Sequence, residues 1–413
     1  MDIVDYLLSI SSKKIKYGLK RTEELLKVCN SPHKKVYSIQ VVGTNGKGSV
    51  AAFLSSIISS AGYKVGLFSS PHLVSLNERI RINNELIKDE DLKKFIKKYK
   101  KAIRLIEPSF FELLTVIAVW YFHQKNVNYC ILETGLGGRF DSVTACENQG
   151  VVFTPISMDH HSLLGHTLSL IATDKSKAIN RNTQFSFSSK QSASVMEILD
   201  RQAKQNNLKL MLVNQAVPEK LSSHLYGAHQ SDNAKLSKTV VHYLIKKNII
   251  NASDQAIERG LKNTVWHGRF QIVQINPTVI FDVAHNKASI ECFMKSVNTY
   301  IKNKAIQKKY LVCAFERNKK IKSTLKKYEK IFNQIICSET NIRDSMPAHD
   351  IASVFRGSKN IIIQKNINKA IAFGLENTHK QDVVIILGSH FLGPAVNSFF
   401  KNCFALDHKR LLS

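Results

Sequence analysis

An α/β fold in two domains is what this sequence predicts, and three observations predict it. Short apolar, β-branched runs alternate with longer helical stretches, the pattern of a mostly parallel sheet with crossover helices. The chain has 413 residues, more than one hydrophobic core usually spans. Its 44% hydrophobic and 22% charged residues are globular proportions. A mostly parallel sheet is expected first, followed by a smaller, Rossmann-like α/β domain.

Val36 to Val42 reads as a strand that runs into a Gly-rich turn and then a helix from about Ser49 to Ala61. Lys64 to Phe68 is the next strand. Phe111 to Gln124 is an apolar helix, and Val127 to Leu132 a buried strand ending at Glu133. Gly150 to Ile156 is a further strand, followed by a polar segment, Asp159 to Lys177. A second series starts after Trp266-His267-Gly268, with strands at Thr278 to Val283, Tyr310 to Ala314, Ile335 to Cys337, Ile361 to Ile363 and Val383 to Leu387. The boundary falls near Asn263 with Lys262 to Gly268 as linker, giving domains 1–263 and 264–413.

Met1 to Lys20 lacks the pattern of a signal peptide, and no apolar run is long enough to span a bilayer, so a cytoplasmic protein is expected. Seven scattered cysteines without a CxxC pair read as reduced, mostly buried thiols and give no support for zinc. The net charge of +27 fits either nucleic-acid phosphates or acidic small substrates. Its lysines are dispersed, as at Lys93-Lys94, Lys97-Lys98 and Lys100-Lys101, on polar helix faces without interleaved aromatics. Solvated faces in a chain of lysine-rich composition explain most of that charge, and nucleic acid is not the expected partner.

The segment Gly43-Thr44-Asn45-Gly46-Lys47-Gly48-Ser49 joins a strand to a helix. Glycines let successive N–H groups face a polyphosphate, the helix N-terminus favours negative charge, and Lys47 can bridge terminal phosphates. The spacing departs from GxxxxGK[ST], with two residues between Gly43 and Gly46 and Gly48 inserted before Ser49. Strand, loop, lysine, hydroxyl and helix still follow in the order that binds ATP. Glu133, at a strand's carboxyl end, stands where open α/β sheets place ligands, and its oxygens suit Mg²⁺.

A phosphate loop does not specify a reaction. The loop resembles the GTNGKGS loop of the dihydrofolate synthase/folylpolyglutamate synthase family, the folate branch of the Mur ligases. The similarity continues in Ser69-Ser70-Pro71-His72-Leu73-Val74, Asn77-Glu78-Arg79-Ile80, Phe110-Phe111-Glu112 and Leu132 to Arg139. It extends through Met158-Asp159-His160, Gly268-Arg269-Phe270, Asp282 to Asn286 and Gly388-Ser389. These motifs run in the family's order and spacing from near residue 15 to residue 395.

The resemblance implies Ser70, Glu133 and His160 as ligands of Mg²⁺, shared between two positions, and carbamylation of Lys175. It implies Asn233, Arg269 and Asp282 at the nucleotide and His285 near an incoming glutamate. Phe110, Phe111, Glu112, Gly138, Arg139 and Phe140 are implied on the pterin side, and Tyr17-Gly18-Leu19 resembles part of a substrate loop. The implied activity is ATP-dependent ligation of L-glutamate to dihydropteroate, to a reduced folyl (poly)glutamate, or to both, by a monomer without nucleic-acid or membrane partners. The chain departs from the family at Phe140-Asp141-Ser142-Val143-Thr144, at His267 and at Cys313 to Asn318, which bears on substrate range more than on reaction type. Another Mur-type amino-acid ligase, a nucleic-acid-stimulated P-loop ATPase and a non-catalytic folate binder are the alternatives.

Overall fold

β-Branched and aliphatic residues, buried on both faces, build the centre of each sheet in the computed structural model. It describes residues 3–11, 17–213, 223–302, 304–317, 319, 321–340, 342, 344–355 and 360–405; Asn318 lies outside them. The chain divides into two compact units, Met1–Ser223 with Gln230–Thr264, and His224–His229 with Val265–Ser413. The excursion of His224–His229 into the second unit is not visible in a linear reading of the chain.

In the first unit the strands are β1 (Tyr37–Val42), β2 (Val65–Phe68), β3 (Ile80–Ile82), β4 (Glu85–Leu86), β5 (Tyr129–Glu133), β6 (Gly150–Phe153), β7 (Phe185–Ser188) and β8 (Leu210–Leu212). Their order is β4-β3-β2-β5-β1-β6-β7-β8, parallel from β2 to β8, with β3 and β4 antiparallel at one edge. From β1 the chain passes to β2 on one side, and after β5 it crosses β1 to β6 on the other, so β1 lies at the point where strand order reverses.

Helix Lys47–Ser60 follows β1 and is buried along nearly its whole length, from Gly48 to Ile58 except Ser56. Helix Asp254–Lys262 covers it, bringing Gly260 against Ile57. Helix Phe110–Gln124 is almost entirely buried, and the capping box between Ser109 and Glu112 fixes its start. Helix Asp89–Ile106 buries Leu92, Phe95, Tyr99 and Ile103, a spacing that gives one apolar stripe, and leaves Lys93, Lys94, Lys97, Lys98, Lys100 and Lys101 exposed.

The second unit has β9 (Gln271–Gln274), β10 (Thr278–Asp282), β11 (Lys309–Cys313), β12 (Gln334–Cys337), β13 (Ile361–Ile363) and β14 (Val383–Leu387) in the order β13-β12-β11-β14-β10-β9. All are parallel except β9, which pairs antiparallel with β10.

Every strand expected from the sequence is present within a few residues; the expected strand to Ile156 ends earlier, at Phe153. The sequence reading missed β3, β4, β7, β8 and β9. Four of these carry polar or Gly/Asn-flanked residues and three hold only two or three residues, which gives periodicity little to register. The segment Asp159 to Lys177, expected to be merely polar, holds helices His161–Leu164 and Leu168–Ser176, the second started by Thr167 accepting from the Leu170 N–H at 3.2 Å. Among the described residues no disulfide joins the seven cysteines, and all but Cys292 are buried. Among the described residues no helix is long and apolar enough to cross a membrane.

A Cβ at Gly260 would stand 2.4 Å from Ile57 Cα, backbone that no rotamer change can move. Gly260→Ala is expected to lower stability by roughly 1–3 kcal/mol through overpacking. The exposed change Lys93→Ala should stay within about 0.5 kcal/mol. Urea unfolding midpoints of the two variants check both figures.

Candidate active site

Parallel pairing of β1 with β5 sets Val41 opposite Glu133, and pairing with β6 sets Val42 opposite Phe153. Neighbouring strands lie about 4.8 Å apart. The Glu133 carboxylate therefore emerges beside the turn that carries Gly43 to Gly46. In that turn Gly46 has φ +88°, and a Cβ there would come within 2.7 Å of Asn233 Oδ1. Asn233 is buried and its Nδ2 donates to Gln230 Oε1 at 3.1 Å.

The loop's donors divide into used and unused. The N–H groups of Thr44 and Asn45 donate to the Pro155 carbonyl at 3.0 and 3.3 Å. Thr44 Oγ1 donates to the Ser157 carbonyl at 3.0 Å, and Lys47 Nζ donates to the Thr44 carbonyl at 3.3 Å. The first N–H groups of helix Lys47–Ser60 have no intrahelical acceptor, and no side chain caps them. Ser49 Oγ is buried without a hydrogen-bond partner. An uncapped helix start beside a buried, unpartnered hydroxyl offers N–H donors to an anion and an oxygen to a cation.

Glu133 is buried and its Oε2 accepts from the Ser70 N–H at 3.1 Å, which joins these two residues directly. His160 lies on the segment after β6, exposed, with its Nε2 4.0 Å from Asp159 Oδ2. Among the described residues no three His, Cys, Asp or Glu side chains are grouped to hold a metal ion by themselves. Hard oxygen donors are nonetheless present in Glu133, Ser70 and Ser49, the donor set Mg²⁺ takes when phosphates complete its shell.

Lys175 is buried and donates through Nζ to the Gly43 carbonyl at 2.8 Å, so it supports the loop from beneath. Burial and the nearby Lys47 charge pull its pKa down to about 7, against the opposing pull of Asp174, Asp141 and Asp159. Asp141 is buried and accepts from the N–H groups of Leu136 and Val143 at 2.8 and 2.9 Å. Burial raises its pKa to about 6 in spite of those bonds.

Phe111 packs on Phe68 with ring centroids 5.4 Å apart and covers Gly135, while Phe110 lies under the Arg79 guanidinium, 5.2 Å from ring centroid to carbon. Glu112 is buried and committed: its Oε2 accepts from the Ser109 N–H, and both oxygens accept from Arg21 at 2.9 and 3.1 Å. Arg21 also donates to the Tyr17 carbonyl at 3.3 Å. The Gly138 N–H donates to Asp174 Oδ1 at 2.9 Å. Arg139 and Phe140 are exposed and stack on each other, 4.8 Å from guanidinium carbon to ring centroid.

In the second unit, Asp282 is buried at the end of β10 and accepts from the N–H groups of Phe270 and Ala284, both at 2.7 Å. Burial raises its pKa to about 6, and the Arg269 charge opposes the rise. Arg269 Nη1 donates to the Gly268 carbonyl at 3.1 Å. His285 sets its Nδ1 2.8 Å from the Val283 carbonyl, an acceptor that places a proton on Nδ1.

Residues 268–390 match the Mur ligase, glutamate ligase domain, a span that holds Arg269, Asp282 and His285. Over 404 residues the chain is 30% identical to a dihydrofolate synthase/folylpolyglutamate synthase of Bacillus subtilis, covering 91% of this chain and 93% of that protein. The chain belongs to that family. Solved structures share the fold. The bifunctional folylpolyglutamate synthase/dihydrofolate synthase of Yersinia pestis, complexed with AMPPNP and Mn ion, aligns with TM-score 0.85 at 24% identity over 97% of this chain and 98% of its own. The Escherichia coli enzyme FolC, in complex with DHPP and ADP, gives 0.85 at 24% over the same shares.

Two residues with evident site chemistry escaped the sequence reading as site residues. Arg79 and His72 sit in quoted motifs, but only the fold shows that they meet each other and that Arg79 lies over Phe110. Burial and the neighbouring Arg79 charge hold His72 down at a pKa of about 4.

Lys175 gives a pH test. A lysine whose folded pKa is about 7, below its ordinary value of 10.5, binds its proton more weakly in the folded than in the unfolded chain. Folding stability therefore rises with pH between those values and its penalty is complete below the lower one. In buffer free of carbon dioxide, the urea midpoint of the wild type relative to Lys175→Met should climb from pH 7 to pH 10. A flat difference contradicts the burial assigned to this amine.

Proposed function

We propose that this chain is an ATP-dependent carboxylate–amine ligase that joins L-glutamate to dihydropteroate, to a folyl (poly)glutamate, or to both. The observation that carries the reading is the register of β1 with β5, which brings the Lys47 loop and the Glu133 carboxylate to one end of one sheet. Membership of the folate ligase family supplies the substrate class.

A carboxylate resists attack by an amine because its leaving group would be an oxide. One of its oxygens attacks the γ-phosphorus of ATP, ADP departs, and an acyl phosphate forms. The glutamate α-amine then attacks the acyl carbon, an amide bond forms, phosphate leaves and the amine gives up a proton. The first step joins two anions, so its rate depends on cationic and hydrogen-bonding groups placed for the transferring phosphoryl. Lys47 and the uncapped amides of Gly48 and Ser49 serve that role, while Gly43 to Gly46 and Asn233 shape the loop around the nucleotide. Glu133, Ser70 and His160 would hold Mg²⁺, which when bound would neutralise phosphate charge.

Phe110, Phe111, Gly138, Arg139 and Phe140 are assigned to the pterin-bearing acceptor, with Glu112 acting through its hold on the helix start. Residues 264–413 form the ligase domain of this reading, in which Arg269 and Asp282 serve the nucleotide and His285 the incoming glutamate. Lys175 is assigned as a carbamate. Its depressed pKa supports this, because only a neutral amine adds to carbon dioxide, releasing a proton and leaving an anion.

Phosphate release, measured with ATP, glutamate and either dihydropteroate or a reduced folate, tests the reading. Release that needs both acceptor and glutamate is expected, and release stimulated by nucleic acid alone would point to an ATPase instead. Lys47→Ala should lower turnover by about 10³-fold while leaving the melting temperature unchanged. For Lys175, the intact mass should carry one added carbon dioxide in bicarbonate buffer, and Lys175→Arg should lose both that mass and most of the activity.

A further inference from the structure

The motif Asn77-Glu78-Arg79-Ile80 can be accounted for residue by residue, and one side chain is left unspent. Asn77 Nδ2 donates to the Ile87 carbonyl at 2.7 Å and to Asp89 Oδ1 at 2.8 Å. Glu78 accepts from the N–H groups of Leu73, Val74 and Ser75 at 2.9, 2.9 and 2.7 Å, which folds the loop after Pro71. Ile80 belongs to the core. Arg79 is buried, yet among the described residues only its Nε finds an acceptor, Nδ1 of His72 at 2.9 Å. Its two terminal amino groups are unmatched, and its guanidinium plane rests against Phe110.

The His72 contact fixes more than position. An arginine N–H can donate only to a lone pair, so Nδ1 is unprotonated and the ring proton sits on Nε2. The pair therefore presents donors alone: two guanidinium amino groups and one imidazole N–H, carrying a single positive charge. Glu133 lies close enough for its charge to act on this guanidinium. A planar, donor-only fork on a largely buried side chain, flanked by an aromatic ring, is matched to a carboxylate joined to another aromatic ring.

We propose that Arg79, oriented by His72 and Phe110, receives the carboxylate of the acceptor that is to be phosphorylated. The proposal rests on the ligase reading and adds to it the residue that selects for a free acid. The phosphates of the nucleotide already have the Lys47 loop, so the Arg79 fork is left for the second anion.

Calorimetric titration of the full chain with dihydropteroate and with its carboxamide, without nucleotide, tests this. The wild type should bind the acid at least 30-fold tighter than the amide. Arg79→Gln should reduce that preference to threefold or less while ADP affinity stays within threefold. Arg79→Lys should raise the acceptor KM more than it lowers kcat and leave the ATP KM alone. Should Arg79→Gln not fold, the His72 variants decide: His72→Phe, which frees Nε, should cut the preference at least fivefold, and His72→Asn, whose Oδ1 can accept the same bond, should recover most of it. A folded Arg79→Gln or His72→Phe that keeps the full preference overturns the proposal. Equal wild-type affinity for acid and amide overturns it too, and leaves the ligase reading standing. A wild type that binds neither compound and releases no acceptor-dependent phosphate removes the ligase reading and this proposal with it.

Discussion

The pairing of β1 with β5 is the constraint on which the site depends. Two parallel strands in register fix Val41 opposite Glu133, and everything polar around them is placed by what leaves those strands. The loop after β1 has nowhere to go but over the sheet's carboxyl end, because helix Lys47–Ser60 must return to bury its apolar surface. The carboxylate at the end of β5 is held there by the Ser70 N–H. Neither placement involves a long side chain or a mobile loop. That is why the loop and the carboxylate could be joined from sequence alone, while groups on the flanking segments could not.

What the sequence made legible follows the same division. Strands built from Val, Ile and Leu, such as Val383–Leu387, declare themselves, and so does a glycine turn between strand and helix. The edge strand Glu85–Leu86 and the strand Phe185–Ser188 do not, because two residues carry no period and serine dilutes the apolar signal. In the site, Lys47 and Glu133 were readable because backbone order places them. The tie between Arg21 and Glu112 was not, because it spans 91 positions and only packing reveals it. The burial of Lys175 was hidden for a related reason. In a chain with 59 lysines and arginines, a lysine is ordinarily solvated, and nothing local marks the one placed under the loop.

Electrostatics in the first unit run counter to the chain's overall excess of positive charge. The helix Asp89–Ile106 keeps its lysines in water, where they cost little and do little. Lys175, Asp141, Arg79 and Glu133 are instead charged groups held in the interior. Burial disfavours the charged form of each, which is visible in the opposite shifts of Lys175 and Asp141, both toward the neutral form in spite of the attraction between their charges. Total charge is therefore a poor guide to this site, whose behaviour is set by a handful of groups in close quarters.

The bidentate hold of Arg21 on Glu112 has a wider reach than its own energy. Glu112 also closes the first turn of helix Phe110–Gln124, so one carboxylate ties helix Lys20–Val28, which carries Arg21, to the spot where Phe110 and Phe111 emerge. The Phe110–Phe111 pair is thus anchored by a contact made from another helix. A disturbance near position 21, by insertion or by rigid attachment of a tag, would be felt as a loosened aromatic wall long before it showed as a loss of fold.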